Sequence, residues 1–313
     1  MGKLSIRETN VFFLLFILSY FMLAVLVGSL LPKDAPAWVE FCASNLIVAL
    51  PMIVLFVVKK INPLKALGFS TIGIVDFLLA CLSAYCLLPV MLIINYVTML
   101  FSKNYVVDMM AEVYEYPLVI QLILLALMPA VVEEVLSRGI FYGSYRRRNI
   151  MRGGLMSGLL FGLMHLNLNQ FAYAFFMGVM FCVLYEASGN ILLPITTHFT
   201  INANSVLASW FSRTNIESEA NAATVESAVN TSGMVIMGAV FIIGITVLGI
   251  GIFVLIVKTI AERHNRLELL KNAYRERNIY KEESLGKFFD MYMIAAILPA
   301  VLYMICLEIV GIW

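Results

Sequence analysis

The sequence predicts an all-α fold: a polytopic transmembrane bundle of about eight or nine spans around an intramembrane polar cavity. Three observations predict it. The 313 residues are 62% hydrophobic and 13% charged, with a mean hydropathy of +0.92, whereas soluble domains carry roughly 25% charged residues. The apolar residues fall into long runs, near the ~20 residues that a spanning helix needs. A few ionisable groups interrupt those runs, namely Glu133, Glu134, Arg138, His165 and His198. A charge at bilayer depth costs at least a few kcal/mol, so such groups mark function or a polar network.

Nine runs are candidate spans: 11–31, 38–58, 74–101, 117–144, 152–168, 170–187, 191–211, 234–257 and 288–311. The first follows Lys3 and Arg7 and exceeds the 7–15 apolar residues of a signal-peptide core, so it is expected to be retained. Ala35-Pro36-Ala37 is only a faint likeness of a cleavage site. The fifth and sixth runs are short and parted only by a polar stretch near Asn167 and Asn169, so one is expected to be tilted or incomplete. No repeat or low-complexity linker divides the chain, and residues 1–313 read as a single integral membrane domain. Segment 258–287 mixes charges with Ile260, Leu267, Leu270 and Tyr274. It reads as a charged cytoplasmic loop or helix extending the preceding span, with anionic lipid headgroups as a possible partner. Segment 212–232 is acidic and polar and ends in the sequon Asn230-Thr231-Ser232.

The loops carry opposite amounts of basic charge. Seventeen of the 21 Lys and Arg residues fall on the side of the N-terminus and three, Lys33, Lys103 and Arg213, on the other. The positive-inside rule then puts the N-terminus in the cytoplasm of a multi-pass cell membrane protein, and the C-terminus outside if all nine runs cross. The formal net charge of +1 is segregated by loop and identifies no partner, and nothing in it suggests nucleic acid. Cys42, Cys81, Cys86, Cys182 and Cys306 lie in or beside apolar runs, odd in number and without metal-type spacing. They read as small buried hydrophobes rather than a disulfide framework. Asn45, Asn95 and Gln121 are expected to make interhelical hydrogen bonds. Glu308 is expected to reach the interface, and Glu40 and Asp290 to be solvated at span ends.

The chemistry gathers in 117–211. Helical residues four apart share a face, so Glu134 and Arg138 can pair. Glu133, on another face, is then a surplus acid suited to a general base. His198 and Asn202 also lie four apart. Helices rise about 1.5 Å per residue, which puts Glu133 and His165 each roughly 20 Å from the basic loop ends, and His198 and Asn202 roughly 12 and 18 Å from Asn190. Residues from three runs therefore share a layer and can reach one cavity. The bland alternative is a structural polar network.

Glu133-Glu134-Val-Leu-Ser-Arg138 fits EExxxR, Phe161-Gly-Leu-Met-His165 fits FxxxH, and His198-Phe-Thr-Ile-Asn202 fits HxxxN. In that order the motifs resemble the CAAX-protease and bacteriocin-processing (Abi) family of intramembrane endopeptidases, over about residues 117–211. The flanking runs carry no signature. The resemblance implies a helical bundle with a water-filled cavity and peptide-bond hydrolysis. It implies that Glu133 activates water with help from His165, that His198 and Asn202 stabilise the oxyanion, and that Glu134 and Arg138 give structural support.

Whether a metal takes part stays open at this stage. Glu133, His165 and His198 could hold zinc with an open fourth position, but the helix-borne HExxH pair is absent. The preferred reading is glutamate-activated water with no cofactor required and no metal ligands, zinc being the alternative. The expected substrate is a peptide or lipidated protein reached from the cytoplasmic side or the membrane; partner proteins are not identified. A proton- or ion-coupled transporter and a non-catalytic immunity or scaffold protein are the competing functions. No pair of matching halves favours the transporter.

Overall fold

The computed structural model describes residues 4–32, 34–103, 112–219, 231–275 and 286–310. Lys3, Lys33, Asn230 of the sequon and the basic segment 276–285 lie outside these residues. All regular structure among the described residues is helical, as expected. Long helices run through Ile6–Leu30 (α1), Ala37–Val58 (α2) and Ile74–Met99 (α4), with the single turn Pro63–Ala66 (α3) between the last two. Leu118–Tyr145 (α5) is one continuous helical rod. Ile150–Leu163 (α6) and Leu168–Ser188 (α7) form a hairpin, followed by Leu192–Glu219 (α8), Thr231–Arg263 (α9), Leu267–Arg275 (α10) and Met291–Val310 (α11).

Seven helices among the described residues are long and apolar enough to cross a membrane: α1, α2, α4, α5, α7, α9 and α11. The two remaining runs differ from the expectation for separate physical reasons. The run 152–168 yields only the 14-residue α6. It stops because Leu166 takes a left-handed φ of 51° and Asn167 caps the next helix, its side chain accepting a hydrogen bond from the Gln170 amide. The run 191–211 does form a helix, α8, but Thr196, Thr197, His198, Asn202, Asn204, Ser205 and Ser209 lower its hydropathy. Beyond Arg263 the chain breaks at Asn265, at a left-handed φ of 54°, before α10 begins. The charged segment therefore first extends the preceding span and then turns into a second short helix.

Two apolar clusters flank the bundle centre. One joins Phe13, Phe16 and Ile17 of α1 to Phe141 of α5, Leu160 of α6 and Ala300 of α11. The other joins Ala84 and Leu87 of α4 to Phe181 of α7, Ile201 of α8 and Ile256 of α9. In lipid the association of such helices rests on close packing rather than hydrophobic burial, which favours small residues at contacts. The α6–α7 hairpin shows this. A Cβ on Gly158 would stand 2.6 Å from the Val179 side chain and 2.9 Å from the Phe175 carbonyl, and one on Gly178 only 2.8 Å from the Gly158 Cα.

The basic chain ends meet at one end of the bundle. Lys59 pairs with Glu8 at 2.6 Å and Arg263 with Asp76 at 2.8 Å. Arg146 and Arg266 both clasp the buried Glu186, which also accepts from the Tyr142 hydroxyl at 2.8 Å. Tyr145 donates to Asn10 Oδ1 at 2.7 Å, tying α5 to α1.

Several smaller expectations are corrected. Cys86 and Cys182 are buried, but Cys306 is exposed and Cys42 and Cys81 are half-buried; all five are free. The one exposed thiol, Cys306, lies on α11. The interhelical bonds expected of Asn45, Asn95 and Gln121 are local instead. Asn45 donates to the Phe41 carbonyl one turn back, Asn95 contacts Met99 Sδ, and the buried Gln121 donates to the Tyr114 and Tyr116 carbonyls. A carbonyl has two lone pairs, so one nearby in the chain can accept from a polar side chain as well as from the backbone, and here the local bond wins. Asp290 caps α11, accepting from the Tyr292 and Met293 amides.

Candidate active site

Glu133 and Glu134 end an α-helical stretch of α5, Met128–Glu134, that lies between two π-helical segments, Leu122–Leu127 and Val135–Tyr142. π-Turns are rare and concentrate at functional sites. Adjacent helical residues point about 100° apart, so the two carboxylates leave α5 in different directions. Glu134 turns into the protein and is fully buried; Glu133 turns into a cavity.

Glu134 Oε2 lies 2.9 Å from Arg138 Nε, both side chains wholly inaccessible. The angle is not that of an aligned hydrogen bond, so the contact is an ion pair, and Arg138 Nη1 finds no hydrogen-bond partner among the described residues. Arg138 Nη2 donates to the Gly178 carbonyl at 3.3 Å. The guanidinium is held between Phe161 at 4.9 Å and Phe181 at 5.2 Å, rings that stabilise a desolvated cation through their negative faces.

The second oxygen of Glu134 lies 3.1 Å from His198 Nδ1. His165 Nδ1 lies 2.7 Å from the Phe161 carbonyl. A carbonyl only accepts, so His165 Nδ1 carries a proton; the Glu134 carboxylate beside Arg138 places one on His198 Nδ1 likewise. The other ring nitrogens both face Glu133: His165 Nε2 at 3.8 Å and His198 Nε2 at 4.0 Å from Glu133 Oε2. That oxygen is buried and has no hydrogen-bond partner among the described residues. Phe181 stacks on the His198 ring at 5.2 Å, and Phe161 meets the His165 ring edge-on at 5.1 Å.

Glu133, His165, His198 and Asn202 line one cavity of about 450 Å3, whose apolar wall includes Met91 and Met177. This lies within the roughly 300–1,000 Å3 of ligand-sized cavities. A second cavity of about 270 Å3, between α1, α2, α11 and the hairpin tip, shares Glu133 and His165 with the first. The four residues singled out from the motifs thus meet at one place, and Glu134 with Arg138 lies directly behind them. His165 stands at the α6–α7 turn rather than inside a span, as the sequence had suggested. Phe181 and the Gly178 carbonyl went unnoticed in the sequence, and Phe161 entered only through the FxxxH spacing.

No group of three or more His, Cys, Asp or Glu side chains among the described residues has metal-holding spacing. Tetrahedral zinc ligands about 2.1 Å from the metal stand about 3.4 Å apart. The Glu133–imidazole separations of 3.8 and 4.0 Å are wider.

Residues 115–204 match the family described as "Type II CAAX prenyl endopeptidase Rce1-like". A putative membrane peptidase of Bacillus subtilis, YdiL, is 29% identical over 89 residues, which is 28% of this chain and 36% of that relative. The match therefore spans about a third of the relative's length. No solved structure matches. All three motifs lie inside the matched segment. Through that segment this multi-pass membrane protein is similar to the Rce1-like family of CAAX-type membrane proteases.

Proposed function

We propose that the chain is an intramembrane endopeptidase. It hydrolyses a peptide bond of a membrane-associated or prenylated protein or peptide precursor, with Glu133 as general base and no metal required. The observation that carries this reading is the buried Glu133 Oε2, without a hydrogen-bond partner among the described residues and faced by two imidazole Nε2 atoms. A water hydrogen-bonded to Glu133 at about 2.8 Å would lie within reach of His165 as well. Glu133 takes a proton as the water oxygen adds to the scissile carbonyl carbon. The carbonyl electron pair moves onto oxygen, where the Asn202 amide and a doubly protonated His198 donate to it. Such preorganised donors commonly supply the largest part of acyl-transfer catalysis. The C–N bond then breaks, Glu133 passes its proton to the leaving amine, and a carboxylate and an amine result. Glu134 and Arg138 act through position, holding His198 and α5.

The clustering of Lys59, Arg146, Arg263 and Arg266 at one end supports a cytoplasmic N-terminus. The same end offers cations to anionic lipid headgroups.

The test uses the full-length protein in lipid nanodiscs and two internally quenched peptides, one with an S-farnesyl cysteine and one without. Cleavage by the wild type, its loss in Glu133→Gln at equal expression, and its survival in chelator support the reading. Cleavage abolished by chelator and restored by zinc would replace the water mechanism with a metal one. Undiminished cleavage by Glu133→Gln sinks the assignment of the base.

A further inference from the structure

Hydrolysis inside a membrane has a supply problem. A lipidated or apolar substrate that fills the 450 Å3 cavity displaces the water that must react there. The two cavities offer an answer because Glu133 and His165 line both. The larger adds His198 and Asn202, with Asn95, Tyr173, Ser205 and Ser209 set among apolar side chains of α4, α7 and α8, and is the chamber wide enough for a peptide. The smaller is lined by Tyr20, Ser44, Asn45, Asn167, Gln170 and Tyr303, three hydroxyls and three amides around a space of about 270 Å3. Water needs a polar, roomy site with 2–4 partners, and this lining supplies them at a depth where lipid supplies none.

We propose, resting on the endopeptidase reading, that the smaller chamber is a water-binding site that feeds Glu133 from the face opposite the substrate. Substrate occupies the larger chamber with its carbonyl oxygen toward His198 and Asn202. Water advances past Asn45 to the Glu133–His165 pair, one molecule per turnover. Each hydrolysis consumes it and returns the Glu133 proton to the amine product, so the chamber is refilled without substrate leaving.

Two measurements decide it. In the peptide assay, Asn45→Leu is expected to lower kcat at least tenfold with KM within twofold. Asn45→Ser, which keeps a hydroxyl, should retain kcat within threefold and shows that the loss is not misfolding. Leu92→Phe, which narrows the larger chamber, should raise KM instead. A raised KM or altered cleavage site in Asn45→Leu would mean that the chamber holds peptide, and unchanged kinetics would mean that it feeds nothing; either overturns the proposal. Independently of activity, Asn45→Cys and Leu46→Cys in nanodiscs are treated with a charged methanethiosulfonate and mapped by mass spectrometry. Leu46 is exposed on the outer side of the same helix. Labelling at 45 at least ten times faster than at 46 is expected; equal or slower labelling shows a dry chamber and overturns the proposal. Failure of the wild type to cleave either peptide ends the endopeptidase reading and this inference with it, while the labelling ratio still reports whether the chamber is wet.

Discussion

His198 Nδ1 lies 3.1 Å from Glu134 Oε1, and this contact accounts for the second of the two adjacent glutamates. Glu134 is fully buried between the imidazole and Arg138, so it takes no part in the cavity. It fixes the proton on His198 Nδ1 and turns Nε2 toward Glu133. A ring oriented by a carboxylate behind it is a recurrent arrangement where imidazoles carry chemistry. One glutamate faces the cavity and the other holds the histidine.

That division separates two single substitutions. Glu133→Gln keeps shape and removes the base. Glu133 has no salt bridge to Arg138, so its melting temperature in detergent should stay within a few degrees of wild type while cleavage is lost. Glu134→Gln leaves the Arg138 cation buried without its counterion. Breaking a buried pair costs about 3–5 kcal/mol, so this variant should lose both thermal stability and activity. Equal melting temperatures for the two variants would contradict the division.

Arg138 tests the same network from the other side. Arg138→Ala should express poorly or melt early, again by about 3–5 kcal/mol, since Glu134 is stranded. Arg138→Lys keeps the charge but cannot reproduce a planar group held between Phe161 and Phe181. Its stability should fall between wild type and alanine. A lysine variant as stable as the wild type would show that charge alone matters there.

What the sequence disclosed follows from which signals are local. Hydropathy located the helices, and the fixed spacings within EExxxR, FxxxH and HxxxN placed the Glu134–Arg138 pair on one face, where it is found at 2.9 Å. Counting helical rise put Glu133 and His165 roughly 20 Å, and His198 roughly 12 Å, from the loop ends, near enough to one layer to share a cavity, and they meet. Other features depend on three-dimensional context. Whether Asn45 bonds across helices or back to Phe41 is decided by its neighbours, not its identity. The π-turns of α5 leave no mark in composition. The turn that takes His165 off the helix rests on one left-handed residue, Leu166, which a leucine does not announce. The glycines at 154, 158 and 162 drew no reading in the sequence; their role shows only where Gly158 and Gly162 meet α7 backbone and side chains.

His165 stands on that turn, tethered by its Nδ1 to the Phe161 carbonyl. His165→Ala removes one side of the Glu133 site without opening the packed core, because the residue is at the hairpin tip beside both cavities. Loss of an acid–base or water-positioning group costs typically 10²–10⁴-fold in rate. A fall in kcat of about that size is expected, with a melting temperature close to wild type. A variant within threefold of wild-type kcat would remove His165 from the mechanism.

Gly158 connects packing to chemistry at a distance. An added methyl there meets the Val179 side chain at 2.6 Å and, less forgivingly, the Phe175 backbone carbonyl at 2.9 Å. The two helices must separate to admit it, and overpacking of this kind costs typically about 1–3 kcal/mol. α6 carries Phe161 and leads into His165, so separation of the hairpin also shifts the imidazole relative to Glu133 on α5. Gly158→Ala should therefore lower the melting temperature and reduce kcat, although residue 158 does not line either cavity. Gly28→Ala is the control: its added Cβ meets nothing within 4 Å, and both quantities should stay at wild-type values. Equal behaviour of the two alanine variants would show that close approach of α6 and α7 does not position the site.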